Sequence, residues 1–479
     1  MDSSVFRDAI ESINLTKNDF ADIRGFSSKS LNFSVRKGNI EQTLSQRLNG
    51  VAIRVMANGA WGFCSTEDYS LKNLKKNLER AYKLAYLTGE RIKTKINTDT
   101  EHSFIGKNVL KTDLNPQDVS IEEKYAFALE GEKILRNYHP EIVNSTSSYE
   151  ETIQREIIVN SNGTEVSTDY GIFKFSLSAT SRRADIIQNV KESKASNNGL
   201  KSIFSWDIQN QSESLAKRAI TLLDAQSAPK GRHNILMEPS LVGVYIHEAF
   251  GHASEGDAIL NRVSVLRDKV NANLGIDSIN VYDDPTIEGL RGSYKFDSEG
   301  TPAIRRNIVQ DGNLISYLNS LETSKRLSLE NPEITQKNSF APNGAGRAQD
   351  FRHVVMPRMS NTYIDNGDYS FDELLEAIKN GIYLQYSYGG YVNPVKGEFL
   401  FSSQSGYLIE NGELTKPIRN SAMSGMTLEV LKNTIALGKD LDFAFPGTCG
   451  KPSSTGQQNL PVTAGGPHLA VKSIIVGGI

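Results

Sequence analysis

The chain has 479 residues, 38% of them hydrophobic and 23% charged, with a formal charge of −3. That is an ordinary globular composition, too long for one core and without the basic footprint that nucleic acid demands. No apolar run approaches the ~18 residues of a membrane span, and Met1-Asp2-Ser3-Ser4 opens neither a basic nor an apolar leader, so the expectation is a cytoplasmic protein with no membrane or nucleic-acid partner.

Residues 19–64 alternate as strands, with Leu31, Phe33 and Val35 on one face and Val51, Ile53 and Val55 running into an Asn58-Gly59 hairpin turn. Leu71, Leu74, Leu78, Ala81 and Ala85 recur at helical spacing, and Lys75-Lys76 between them read as a solvated helix face. Ser120 and Glu123 form a capping-box pattern ahead of a second helix. A hairpin follows with Asn162-Gly163 at its tip, continued by Ile172, Phe173, Phe175 and Leu177, and a third helix covers Leu215 to Leu223. This order gives an α+β fold class with antiparallel sheets and covering helices over residues 1–228, divisible into 1–112 and 113–228. Gln226 to Gly231 have linker composition, and residues 229–479 read as a mainly β, sandwich- or barrel-like domain with hairpin signals at Asp311-Gly312 and Asn411-Gly412. Apart from the segment at 239–252, only 371–380 and 426–438 read as helical there. Tyr383, Tyr386, Tyr388 and Tyr391 are either groove-lining or partly buried sheet residues.

The chemistry concentrates at Ile246-His247-Glu248-Ala249-Phe250-Gly251-His252, where two of the seven histidines flank a carboxylate, with Glu255 and Asp257 just beyond. Pro239 sits where a helix begins, and Leu241, Val242, Val244, Tyr245 and Ile246 ask for burial. On a regular α-helix an i, i+5 pair diverges by roughly 140°, too far to share one ion. Gly251 offers an escape through a π-bulge or a helix end, so a distortion is expected at 250–252. The bland alternative makes His247 a satisfied core histidine and His252 a C-terminal cap. Two imidazoles ask for a third ligand and an open position if the ion is Zn²⁺. Cys64 lies in an apolar strand, whereas Cys449, between Gly447 and Gly450 and near Lys451, is the candidate third ligand. A Cys64–Cys449 disulfide is disfavoured, since nothing indicates an oxidising compartment.

The His-Glu-x-x-x-His run resembles the TldD/PmbA family of metallopeptidases. So do Asn343 to Ala348, Arg358-Met359-Ser360-Asn361-Thr362, the tail from Cys449-Gly450-Lys451 to Gly478, and Gly50 to Val55 with Asn58 to Phe63. Because the metal motif is kept, the likeness is to the TldD-like branch. It implies Zn²⁺ held by His247, His252 and Cys449, with Glu248 as general base. It also implies a site enclosed in a dimer, with itself or with a PmbA/TldE-like homologue, that admits unfolded peptides. The function expected is zinc-dependent hydrolysis of short or unfolded peptides, with Arg347 and His468 as further candidates for holding substrate carbonyls or the oxyanion. A surface ion pair and a loop hydrogen bond are the competing roles for these two. Rival functions are a binding protein with a closed structural zinc site and a DNA gyrase modulator. The adjacent Glu248 argues against the first and the charge of −3 against the second.

Overall fold

Alternating apolar and polar residues build the first layer of the computed structural model, which describes residues 1–97, 103–110, 112–333 and 340–478. Phe20–Arg36 and Asn39–Ala57 pair antiparallel along nearly their whole length. Asn58 and Gly59 close the next hairpin with φ of 52° and 81°, the left-handed pair that a tight type I′ turn requires. The sheet runs in the order Ala60–Thr66, Asn39–Ala57, Phe20–Arg36, Ile142–Asn160, Glu165–Arg183, Ile105–Asn108, with Ile186–Ser196 also paired to Glu165–Arg183. The ladder between Phe20–Arg36 and Ile142–Asn160 carries one sheet across residue 112, while the cores beneath it divide. Leu71–Gly89 buries Leu74, Leu78, Ala81 and Ala85 over one core. Ile121–Tyr138, with its Ser120/Glu123 capping box formed, and Ile208–Asp224 cover the other.

The segment 226–231 is tied down by short pairings: Gln226–Ser227 lies parallel to Ile418 and Arg419. Beyond it, Gly381–Asn393, Gly231–Met237, Leu469–Gly478, Ser421–Met426 and Glu398–Glu410 follow one another by hydrogen bonding, and the last returns to pair with the first. This closes a small barrel. A second sheet runs Asn313–Leu314, Arg306–Gln310, Val281–Asp283, Asn361–Ile364, Gly456–Gly466, Asp442–Ser453, so the last is an edge strand. Asp311-Gly312 and Asn411-Gly412 make the expected tight turns, all four residues having positive φ. The helical reading of this half needs correction. Leu321–Glu330 is a helix capped by Ser320 and Thr323, signals too weakly amphipathic to stand out. The stretch 426–438 divides into a helix at Thr427–Lys432 and a strand at Thr434–Leu437, because Thr434, Ala436 and Leu437 complete the ladder to Leu469–Gly478.

Buried ion pairs lock the two halves. Arg54 is paired with Asp22 and, at 2.9 Å, with Glu299. Arg24 pairs with Glu156 at 2.9 Å and donates to the carbonyls of Asp350 and His353.

Candidate metal centre

Pro239 starts a short helix, Pro239–Val244, that is buried throughout. It widens into a π-helix over Tyr245–Gly251, in which the His252 N–H donates to the His247 carbonyl, the i+5 bond of a π turn. The expected distortion is therefore present but begins at residue 245, not 250. Gly251 is needed for close packing: a Cβ there would come within 2.0 Å of the Met359 sulfur. The wider turn answers the 140° problem, bringing His252 edge-to-face against His247 with ring centroids 5.3 Å apart. Across from them, Cys449 on Asp442–Ser453 faces inward, being 2% exposed.

The ligand atoms of His247, His252 and Cys449 all lie within 4.8 Å of one another. The Cys449 sulfur is 3.3 Å from His252 Nε2. Both ring nitrogens of His247 are buried, and neither has a hydrogen-bond partner among the described residues. An imidazole left so is costly unless something else binds it. Burial raises the Cys449 thiol, but the charges of His252 and His247 outweigh that and hold it well below the ordinary thiol range. Burial lowers His252, yet Cys449 and Glu255 carry it well above an ordinary imidazole. Two nitrogens with one soft sulfur fit Zn²⁺ with a fourth position open. Glu248, whose side chain is 32% exposed, has Oε2 3.9 Å from His252 Nε2.

Glu255, for which sequence alone suggested no role, anchors the site. It is fully buried, and its Oε2 lies 2.9 Å from His252 Nδ1 and 2.8 Å from the Lys451 ammonium. Lys451 also reaches Asp257 at 2.7 Å. Burial would raise the Glu255 carboxyl, but Lys451, His252 and Arg358 drive it far below the usual carboxylate range. Arg358, fully buried, donates from Nη2 to the Cys449 carbonyl at 2.6 Å. The i, i+3 spacing of Glu255 from His252 was the one local signal of this anchor.

Arg347 and His468 are placed elsewhere. Arg347 is buried, donates to the carbonyls of Met359 and Pro461, and lies over the Tyr294 ring at 5.0 Å. It borders a cavity of about 280 Å³ between the two halves. His468 has both nitrogens engaged, by Asp440 at 2.5 Å and the Tyr383 hydroxyl at 2.7 Å. Neither makes a hydrogen bond to the three clustered side chains among the described residues. Of the tyrosines, Tyr383 is buried, Tyr386 stacks under Arg218 at 3.5 Å and Tyr391 is exposed. Neither Cys64 nor Cys449 is in a disulfide, and the two lie in separate cores.

Comparison with known proteins covers almost the whole chain. Family models match at residues 21–85 (PmbA/TldA metallopeptidase domain 1), 114–223 (its central domain) and 230–478 (its C-terminal domain). A metalloprotease of Methanocaldococcus jannaschii is 36% identical, the match covering 94% of this chain and 96% of that one. A protein of Saccharolobus solfataricus named zinc metalloprotease TldD homolog is 30% identical over 90% of each chain. The solved structure of a Thermotoga maritima protein, named as a modulator of a DNA gyrase, superposes with a TM-score of 0.78 at 19% identity, covering 99% of this chain and 100% of that one.

Proposed function

The chain belongs to the PmbA/TldD metallopeptidase family, and from that premise we propose that it is a zinc-dependent peptidase acting on short or unfolded peptides in a cleft shielded by dimerisation. The observation that carries this reading is the buried trio His247, His252 and Cys449, with the partly exposed carboxylate of Glu248 beside it. Zn²⁺ held by these three would polarise a peptide carbonyl and lower the pKa of a water toward ~7. Glu248 is the group available to take the proton from the attacking water and return it to the leaving amine. Glu255 holds the Nδ1 side of His252, which turns Nε2 toward the cluster, and Lys451 with Asp257 fixes Glu255 in turn. Arg358 ties down the backbone at Cys449.

Dimerisation is supported by an unpaired edge. Residues 39–47 are exposed in the hairpin, pair among the described residues only with Phe20–Arg36, and carry Ile40 and Leu44 at 38% and 51% exposure. An edge of this kind asks for cover by a second copy or a homologue of the same family. Among the described residues no helix is long and apolar enough to cross a membrane, which fits the cytoplasmic placement proposed here. A closed structural zinc site would gain nothing from the accessible Glu248, and the gyrase-modulator name reaches this chain only through a fold likeness at 19% identity.

Metal analysis of the purified chain, followed by incubation with an unfolded peptide, tests the reading. The expected result is about one Zn²⁺ per chain and cleavage abolished by chelation. A chain that holds no transition metal and recovers none from added Zn²⁺ would refute it. A stable monomer in light scattering that cleaves folded and unfolded substrates alike would refute the shielded dimer.

A further inference from the structure

Beside the edge strand that carries Cys449, cations gather with too little acid to match them. Lys174 lies directly across from Glu150 in the ladder of Ile142–Asn160 with Glu165–Arg183. Lys191 lies across from Ser178, and Ser178 stands four positions after Lys174, on the same face of the strand. Strand alternation therefore turns Lys174, Lys191 and Glu150 to one side of the sheet, opposite the buried Phe173, Phe175 and Leu177. Arg291 reaches over them from the C-terminal half. It is 7% exposed, with Nη2 3.3 Å from both Glu150 Oε2 and Thr448 Oγ1, and Thr448 precedes Cys449 on the same strand, its exposed side chain on the face opposite the buried Cys449 thiol.

The positive charge here is poorly matched. Among the described residues, Nε and Nη1 of Arg291 find no acceptor, and the Lys174 ammonium makes no hydrogen bond. Lys191 meets only the Tyr388 carbonyl, at 3.4 Å, and the Tyr388 ring. The acid that faces Arg291 and Lys174 among the described residues is Glu150, whose side chain is 44% exposed. Burial lowers the pKa of all three cations, and the charges of Arg291 and Lys191 lower that of Lys174 further. A buried guanidinium with unpaired N–H groups, beside the half-buried Lys174 and the exposed Lys191, is stabilised by an anionic ligand. The 280 Å³ cavity that Arg291 also borders is lined by the neutral side chains of Thr152, Gln154 and Asn459 and by the acids Glu156, Asp297 and Asp350, which are engaged by Arg24, the Gly346 N–H and Arg352 respectively.

We propose that Arg291 and Lys174, flanked by Lys191, form a carboxylate-binding subsite that receives the C-terminal carboxylate of the peptide beside the strand bearing Cys449. For the identity of its ligand this rests on the peptidase reading. The other source of the same chemistry is an acidic side chain within the peptide.

The test measures fluorescence anisotropy of a short labelled peptide without acidic residues on zinc-loaded Glu248→Gln protein. The peptide is supplied as free acid, as C-terminal amide, and as an amide whose last residue is Asp. The free acid is expected to bind about tenfold more tightly than the plain amide, the scale of a charge-assisted hydrogen bond. Lys174→Gln, which breaks no hydrogen bond, is expected to remove most of that difference, and Arg291→Gln likewise. Equal binding of acid and amide, or a tenfold difference that survives Lys174→Gln, overturns the proposal. An Asp-terminated amide that binds as tightly as the free acid would overturn the chain-end assignment in favour of a side-chain carboxylate. Wild-type cleavage of the same peptides separates the two readings. If neither is cut while the acid–amide difference persists, the peptidase reading fails and the subsite stands. If both are cut with equal affinity, the subsite alone fails.

Discussion

Replacing Glu255 by Gln isolates the part of the proposed metal centre that supplies no ligand. The substitution keeps the shape but exchanges a buried carboxylate, 2.9 Å from His252 Nδ1 and 2.8 Å from Lys451 Nζ, for a neutral amide. His252 then loses the charged acceptor that fixes which nitrogen faces Cys449, and Lys451 keeps only Asp257 as a charged partner. Partners of this kind change metal affinity by roughly 10- to 100-fold, or about 1.4–2.7 kcal/mol. Loss of a charged hydrogen bond at the buried Lys451 adds an expected destabilisation of the metal-free fold of about 1–3 kcal/mol. Competition for Zn²⁺ against a chromophoric chelator reads the first quantity and urea unfolding of the chelated protein the second. A Glu255→Gln protein with wild-type zinc affinity would show that the contact to Glu255 does not set the orientation of His252.

Glu248→Gln is expected to keep its zinc by elemental analysis while losing roughly 10²- to 10⁴-fold in peptide turnover, whereas Ala at His247, His252 or Cys449 loses the metal as well. If Cys449→Ala retained zinc and activity while Glu248→Gln lost zinc, the roles of ligand and base would have to be redrawn. Arg54→Met strands the carboxylates of Asp22 and Glu299 at the junction of the halves and is expected to lower stability to urea by about 3–5 kcal/mol; a loss under ~1 kcal/mol would refute the coupling. Burial and the neighbouring Glu299 push the Asp297 carboxyl up to about 8. A folded-state pKa raised above the unfolded value of 3.8 means stability is fully present below that value and is lost as pH rises through about 8, so Asp297→Asn should flatten the decline in urea stability between these limits. An unchanged slope in the variant would exclude Asp297 as its source.

Much of the scaffold was legible because its signals are local. Asn-Gly and Asp-Gly pairs with positive φ mark hairpins wherever they stand, as at Asn58-Gly59 and Asn411-Gly412, and the Ser120/Glu123 capping box needs only its own first turn. Leu321–Glu330 escaped notice because it buries few apolar residues, Leu321 and Leu327 among them, and rests on capping at Ser320 and buried polar contacts. Residues 434–437 escaped because their strand state comes from a ladder partner at 469–471.

Within the metal centre the same division holds. The amino-acid sequence by itself determined that His247, Glu248 and His252 are neighbours, that five-residue spacing forbids a regular α-helix from aiming both rings at one ion, and that Gly251 permits a departure. The structure begins that departure at Tyr245, and Met359 packs into the space that a Cβ at 251 would need. It also brought Cys449, 197 residues from His252, to within 3.3 Å and set Glu255 under Lys451. It left His468 with Asp440 and Tyr383, and Arg347 on main-chain carbonyls. Periodicity and turn chemistry are fixed by interactions within a few residues, whereas the convergence of side chains depends on how the edge strand packs across the π-helix, and no local pattern records that.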